Sequence, residues 1–150
     1  MKVYKLITLF LITLLLSSCA LKPITSQYTF VKKDLNKVTF DELGNGTVLI
    51  YNGADILHKI DNTARLNVWI NDKTLGQIRP KEYVIINLQK GNYTFKALHI
   101  DVFKMKSTHD VKISENTKVI KIKPNITSNR LTITNELPKK FEKYKYATNR

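Results

Sequence analysis

Residues 65–100 read RLNVWINDKTLGQIRPKEYVIINLQKGNYTFKALHI, and their alternation decides the fold. In 65–70, Leu66, Val68 and Ile70 share one parity, while Asn67 and Trp69 take the other. Successive side chains of a strand point to opposite faces, so this pattern marks a half-buried strand. Asn71, Asp72 and Lys73 interrupt it with turn residues and 74–78 returns, which predicts a β-hairpin. Pro80 breaks the next link, because it has no N–H to give a ladder. In 83–88, Val84, Ile86 and Leu88 share a face. After a turn at 89–92, Tyr93, Phe95 and Ala97 lie opposite Thr94 and Lys96.

The same reading extends both ways. GNG at 44–46 is a turn signal, since Gly and Asn tolerate positive φ, and TVLIY at 47–51 follows as a buried strand. Residues 52–65 have no clean period and read as a loop with room for one helical turn. A less regular stretch around Met105 follows the central block. TKVIKIK at 117–123 places Ile120 and Ile122 inward, and RLTITNEL at 130–137 alternates Leu131 and Ile133 with threonines. The period then changes: Leu137, Phe141 and Tyr144 are spaced as one helical stripe, with Pro138 suited to a first turn. Six to eight short strands, each with one apolar face, predict two sheets that cover each other. The expected fold is all-β, a small antiparallel β-sandwich with a short C-terminal helix. No repeat, low-complexity tract or second domain is evident.

The N-terminus follows different rules. Lys2 and Lys5 precede an apolar run of 11 residues, Leu6–Leu16, and then Ser17, Ser18, Cys19 and Ala20. A charged start, a short apolar core and small residues form a secretory signal, and a spanning helix needs roughly 17–25 residues. Leu16-Ser17-Ser18-Cys19 resembles a bacterial lipobox, in which the cysteine thiol is lipidated and the preceding peptide removed. The resemblance implies a signal peptide at 1–18, a lipidated N-terminus and tether at 19–43, and the β-domain at 44–150. Ala20 is not an aspartate, which by resemblance to Gram-negative sorting rules implies the outer membrane. A buried acyl chain gains about 0.8 kcal/mol per methylene, so multiple acylation at Cys19 gives a stable membrane anchor. Cys19 is the only cysteine, so no internal disulfide forms.

The chain carries a net charge of +13, and 21 of its 25 basic residues are lysine. Lysine is a solvated point charge, whereas base and phosphate readers favour arginine forks, and an exported chain does not meet nucleic acid. The charge suits a solvated surface or contact with anionic lipid headgroups or acidic glycans.

Chemistry is sparse. None of the five glycines sits in a phosphate-binding or nucleophile-elbow spacing. His58, His99 and His109 lack the i, i+4 spacing of a helical metal site, and His99 reads as a structural histidine near a strand end. Ser107, His109 and Asp110 are neighbours in an extended segment and point apart, unlike a triad. No catalytic residue, metal ligand or cofactor is predicted. Trp69, the only tryptophan, falls on the polar parity of its hairpin. It is fitted either to contact a ligand together with Asn71, Asp72 and Lys73, or to pack under the C-terminal helix against Phe141 or Tyr144.

TVLIY at 47–51, the hairpin Val68–Ile78, the strand Glu82–Leu88 and Lys90–Ala97 together resemble the bacterial lipoprotein family called domain of unknown function 2846. The hairpin and the Gly-x-Tyr signature also resemble PEGA-type surface β-domains. The family often has Arg after the first strand's Tyr, where Asn52 stands here. The resemblance covers about residues 47–147 and implies a β-sandwich lipoprotein with no catalytic residues. The expected role is a non-enzymatic binding or assembly module of the envelope, meeting an envelope protein or an anionic lipid or glycan. The alternatives are a secretion-system accessory lipoprotein of the outer membrane, or an enzyme acting on envelope glycans.

Overall fold

The computed structural model describes residues 21–31, 38–54, 64–101 and 103–147. The signal segment, Cys19 and most of the 52–65 connection fall outside the described residues. Among the described residues nine strands run in order: β1 (Thr47–Asn52), β2 (Leu66–Ile70), β3 (Lys73–Ile78), β4 (Glu82–Asn87), β5 (Gly91–Ile100), β6 (Lys104–Ile113), β7 (Val119–Pro124), β8 (Asn129–Ile133) and β9 (Lys145–Tyr146). They form two sheets, β8-β7-β1-β4-β9 and β3-β2-β5-β6. All neighbours are antiparallel except β1 with β7 and β4 with β9. The all-β, two-sheet architecture expected from the alternation is what the chain adopts.

The core between the sheets is made by the residues that parity placed inward. Leu66, Val68 and Ile70 meet Val48, Ile50, Val84, Ile86, Ile120 and Ile122 across the interface, with Phe95 fully buried among them. Burying each such side chain contributes about 1.5–3 kcal/mol. The five-stranded sheet is covered on its outer face as well. Leu49, Tyr51, Tyr83, Ile85 and Val119 lie there under Val38, Leu43, Phe141 and Tyr144. Two buried faces explain why TVLIY and YVII read as unbroken apolar runs rather than alternating ones.

The C-terminal stripe packs as its spacing implied but not as a helix of several turns. Only Phe141–Lys143 form a 3-10 turn, and the chain then extends into β9. Lys140, with φ of 59°, interrupts any helix from Pro138, and Tyr144 is already extended. Leu137, Phe141 and Tyr144 all reach the outer layer. Aromatic contact holds this segment: Tyr83 lies 4.9 Å from Phe141, and Tyr51 meets Tyr144 edge-on at 5.7 Å. Such pairs add about 0.5–1.5 kcal/mol each beyond area burial. Burial raises the Tyr51 and Tyr146 hydroxyls to about 12.

The segment 21–31, expected within the tether, lies against the sandwich. Gln77 Nε2 donates to the Leu21 carbonyl at 3.0 Å, and Asn67 Nδ2 to that of Lys22 at 2.8 Å. Further along, Gln27 N donates to the Thr74 carbonyl at 2.8 Å, and Tyr28 Oη to the Ile70 carbonyl at 3.0 Å. The strap thus runs up the exposed edge of β3, crosses to the other sheet and donates from Val31 N to the Ile85 carbonyl at 2.8 Å. An uncovered edge strand invites pairing with another chain, and this strap closes it.

On the opposite side the sheets are joined by Asn129. Its Nδ2 donates to the carbonyls of Ala97 at 3.1 Å and Met105 at 3.0 Å, and its Oδ1 faces His99 Nδ1 at 2.8 Å. Two carbonyls on one side fix the amide orientation, so Oδ1 accepts and His99 Nδ1 carries the proton. His109 Nε2 donates to the Asn129 carbonyl at 2.7 Å. Asn52 makes a third tie. It is buried and donates to the carbonyls of Ala64 and Ile78 at 2.6 and 3.0 Å.

Strand directions give the sandwich two ends. Asn52, Ile78, Ile100, Pro124 and Asn129 mark the basal end, and the turns around Gly44–Thr47, Asn71–Asp72 and Glu115 mark the distal end.

Candidate functional site

The β2–β3 turn is a two-residue turn with Asn71 at φ 47° and Asp72 at φ 65°. Both central residues with positive φ give the twist that suits a tight hairpin, and Asn and Asp tolerate that conformation. Asn71 is committed to the scaffold: its Oδ1 accepts from Thr94 N at 2.8 Å, and its N donates to the Thr94 carbonyl at 2.9 Å. This locks the turn onto β5 and aims Asp72 across the sheet, where its carboxylate pairs with the Lys96 ammonium. That hydrogen bond and charge hold the Asp72 carboxyl below its usual range.

Trp69 lies on the outward parity of β2, opposite Lys96 on β5. Its indole lines a shallow hollow of about 260 Å³ with Asp72, Lys96, Leu98 and Lys106. Trp69 and Leu98 supply the apolar part, and two ammonium groups and one carboxylate rim it. The packing alternative for Trp69 is set aside by this placement. Phe141 and Tyr144 belong to the layer over the other sheet, with Tyr51 and Tyr83. Of the four residues singled out in the hairpin, Trp69 and Asp72 line the hollow. Asn71 shapes the turn, and Lys73 is exposed outside it.

Lys96, Leu98 and Lys106 were missed. Lys96 and Leu98 were within reach, because the parity that turns Phe95 and Ala97 inward turns them outward with Trp69. Lys106 was not, because β6 carries only Val111 and Ile113 as buried apolar residues and Met105, Ser107 and His109 fill its other inward positions.

The remaining polar clusters are structural. His99 is buried against Asn129, as its position near a strand end suggested. Asp110 accepts from Thr94 Oγ1 at 2.9 Å on the outer face, while His109 turns to Asn129. The Ser107-His109-Asp110 run therefore does not converge. Among the described residues no group of three or more His, Cys, Asp or Glu side chains is placed to hold a metal ion. Also among them, no helix is long and apolar enough to cross a membrane.

Comparison of the chain with protein-family models, with curated proteins and with solved structures gives no match.

Proposed function

We propose that this protein is a lipid-anchored lipoprotein of the bacterial outer membrane, attached through Cys19, that works as a non-enzymatic binding module. The observation that carries the binding role is the hollow of Trp69, Leu98, Lys96, Lys106 and Asp72. An indole beside two ammonium groups on a rigid sheet suits a ligand with an apolar face and negative charge, such as an acidic glycan or an anionic lipid headgroup. Paired strands hold the backbone under these groups, which limits the ordering cost of binding to their side chains. The lipobox pattern at Leu16–Cys19 supports the anchor, and the likeness of residues 47–147 to the lipoprotein family named above supports the class.

Two measurements test the reading. Metabolic labelling with a fatty-acid precursor should mark the wild-type chain and not Cys19→Ala, and equal labelling removes the anchor. Titration of the protein with acidic envelope glycans and with phosphatidylglycerol vesicles should change Trp69 fluorescence. Lys106→Ala should weaken that response. No response to either probe would sink the hollow as the binding site.

A further inference from the structure

The end of the sandwich where the chain enters carries two exposed apolar tips. Phe103, in the β5–β6 connection, is 70% exposed, and Ile126, in the β7–β8 turn, is 71% exposed. They are the most exposed large hydrophobic side chains among the described residues. Monomeric surfaces leave single apolar residues exposed without consequence, but these two lie at one end and are joined. Asn129, next to the Ile126 turn, donates to the carbonyl of Met105, two residues from Phe103. The turn itself is closed by Asn125 N donating to the Ser128 carbonyl at 2.8 Å.

The chain enters at this same end. The Lys22 carbonyl is held by Asn67, and Asn67 pairs with Leu98, two residues before β5 finishes. Only one residue, Ala20, separates buried Leu21 from Cys19. Two residue steps span about 7 Å at full extension. That length equals the two-residue distance from Leu98 to the end of β5, so an acylated Cys19 reaches at most the level of the basal end and leaves no length to span a headgroup layer of about 5–7 Å. An acyl chain on Cys19 therefore brings the basal end against the bilayer rather than letting it swing on a tether. The side chains beside the tips suit that surface: Lys22, Lys104 and Arg130 are exposed there, against the half-buried Asp101.

We infer that the basal end is a membrane-seating surface, in which Phe103 and Ile126 enter the interfacial region of an anionic bilayer while the exposed basic side chains meet lipid phosphates. This rests on the Cys19 anchor proposed above. It has a geometric consequence for the hollow. Phe95 to Ile100 and Asp72 to Ile78 run along the strands, so the Asn71–Asp72 turn stands about 20 Å from the seated end at 3.4 Å per residue. The Trp69 hollow, on the outer face of its sheet, then opens sideways over the membrane surface, with Leu98 and Lys106 on its membrane side.

The test uses the full chain, acylated in a bacterial host and reconstituted into phosphatidylethanolamine–phosphatidylglycerol vesicles with brominated acyl chains, which quench nearby indoles. Phe103→Trp and Ile126→Trp are made in a Trp69→Phe background, and the unsubstituted chain reports Trp69. Both positions are exposed, and circular dichroism matching the parent verifies each variant's fold. The expected result is several-fold stronger quenching of the indoles introduced at the two tips than of Trp69. Vesicles floating with the acylated chain but quenching all three positions equally would overturn the seating surface and leave the anchor intact. Mass spectrometry showing Cys19 unmodified would bring down the anchor, and the seating surface with it.

Discussion

Replacing Asn129 with alanine should destabilise the domain far more than a surface change, because three hydrogen bonds that join the two sheets depend on its side chain. Asn129 is 1% exposed and opens β8, at the edge of one sheet. Its amide donates to the Ala97 and Met105 carbonyls of the other sheet and accepts from His99. A net hydrogen bond is worth about 1 kcal/mol, so the three together contribute about 3 kcal/mol. Stranding their partners away from water pushes the cost up, and the half-buried position of Met105, whose carbonyl is one of them, pulls it down. With a urea m-value of about 1–3 kcal/mol/M, a loss of about 3 kcal/mol lowers the midpoint by about 1–3 M. Thr132→Ala, on the exposed side of the same strand, is the control and should stay within about 0.5 kcal/mol of wild type. Asn129→Asp keeps an acceptor for His99 but turns a buried carboxylate oxygen onto both carbonyls, so it should recover none of the loss. The reasoning fails if Asn129→Ala shifts the urea midpoint no further than Thr132→Ala.

The buried tyrosines make stability fall in alkali. With folded values of about 12 for Tyr51 and Tyr146, the unfolded chain releases those protons first, so stability held below about pH 10 is lost as pH rises towards 12. Tyrosinate absorbance should show part of the signal titrating near 12 in buffer and near 10 in urea, and a single folded-state step near 10 would contradict the burial. Gly76 has φ of 114° beside a register shift in β3, so Gly76→Ala should cost about 1–3 kcal/mol through backbone strain, with the new methyl in ordinary contact with Ser26 and Ile24. Unchanged thermal unfolding of that variant would mean the strand relaxes without the bulge.

How far the sequence spoke for the fold depends on how each strand is buried. β2 and β5 were legible because an apolar residue recurs at every second position and one face meets the core, and β4 because both of its faces are apolar and buried. β6 was not, although it runs for ten residues, because its inward positions nearest the basal end are Met105, Ser107 and His109. Met105 and His109 answer to Asn129 on a strand distant in sequence, and no local pattern records that. The parallel pairing of β1 with β7 and of β4 with β9 was hidden for the same reason. The C-terminal stripe shows the limit of periodicity in another way. Spacing of i, i+4, i+7 said correctly that Leu137, Phe141 and Tyr144 pack together, but an irregular segment over a broad apolar sheet face satisfies the same contacts without a helix.

The candidate site was half legible, and the missing half changes its meaning. Trp69 and Asp72 come from one hairpin and are visible in sequence, but Lys96, Leu98 and Lys106 arrive from β5 and β6 through sheet pairing. With the hairpin alone, Trp69 is as well suited to be core as to be a contact. The neighbouring strands settle its surroundings by setting charge around the indole on a face that the strap covers over Asn67 and Gln77. The strap acts on the same question from the opposite edge. Residues 21–31 hydrogen-bond along β3 and into β4, and so transmit the position of the chain's entry point to the whole sandwich. A flexible tether would leave the hollow free to face any direction. A strap tied at Leu21, Lys22, Gln27, Tyr28 and Val31 ties the direction of the hollow to whatever holds the residues before it.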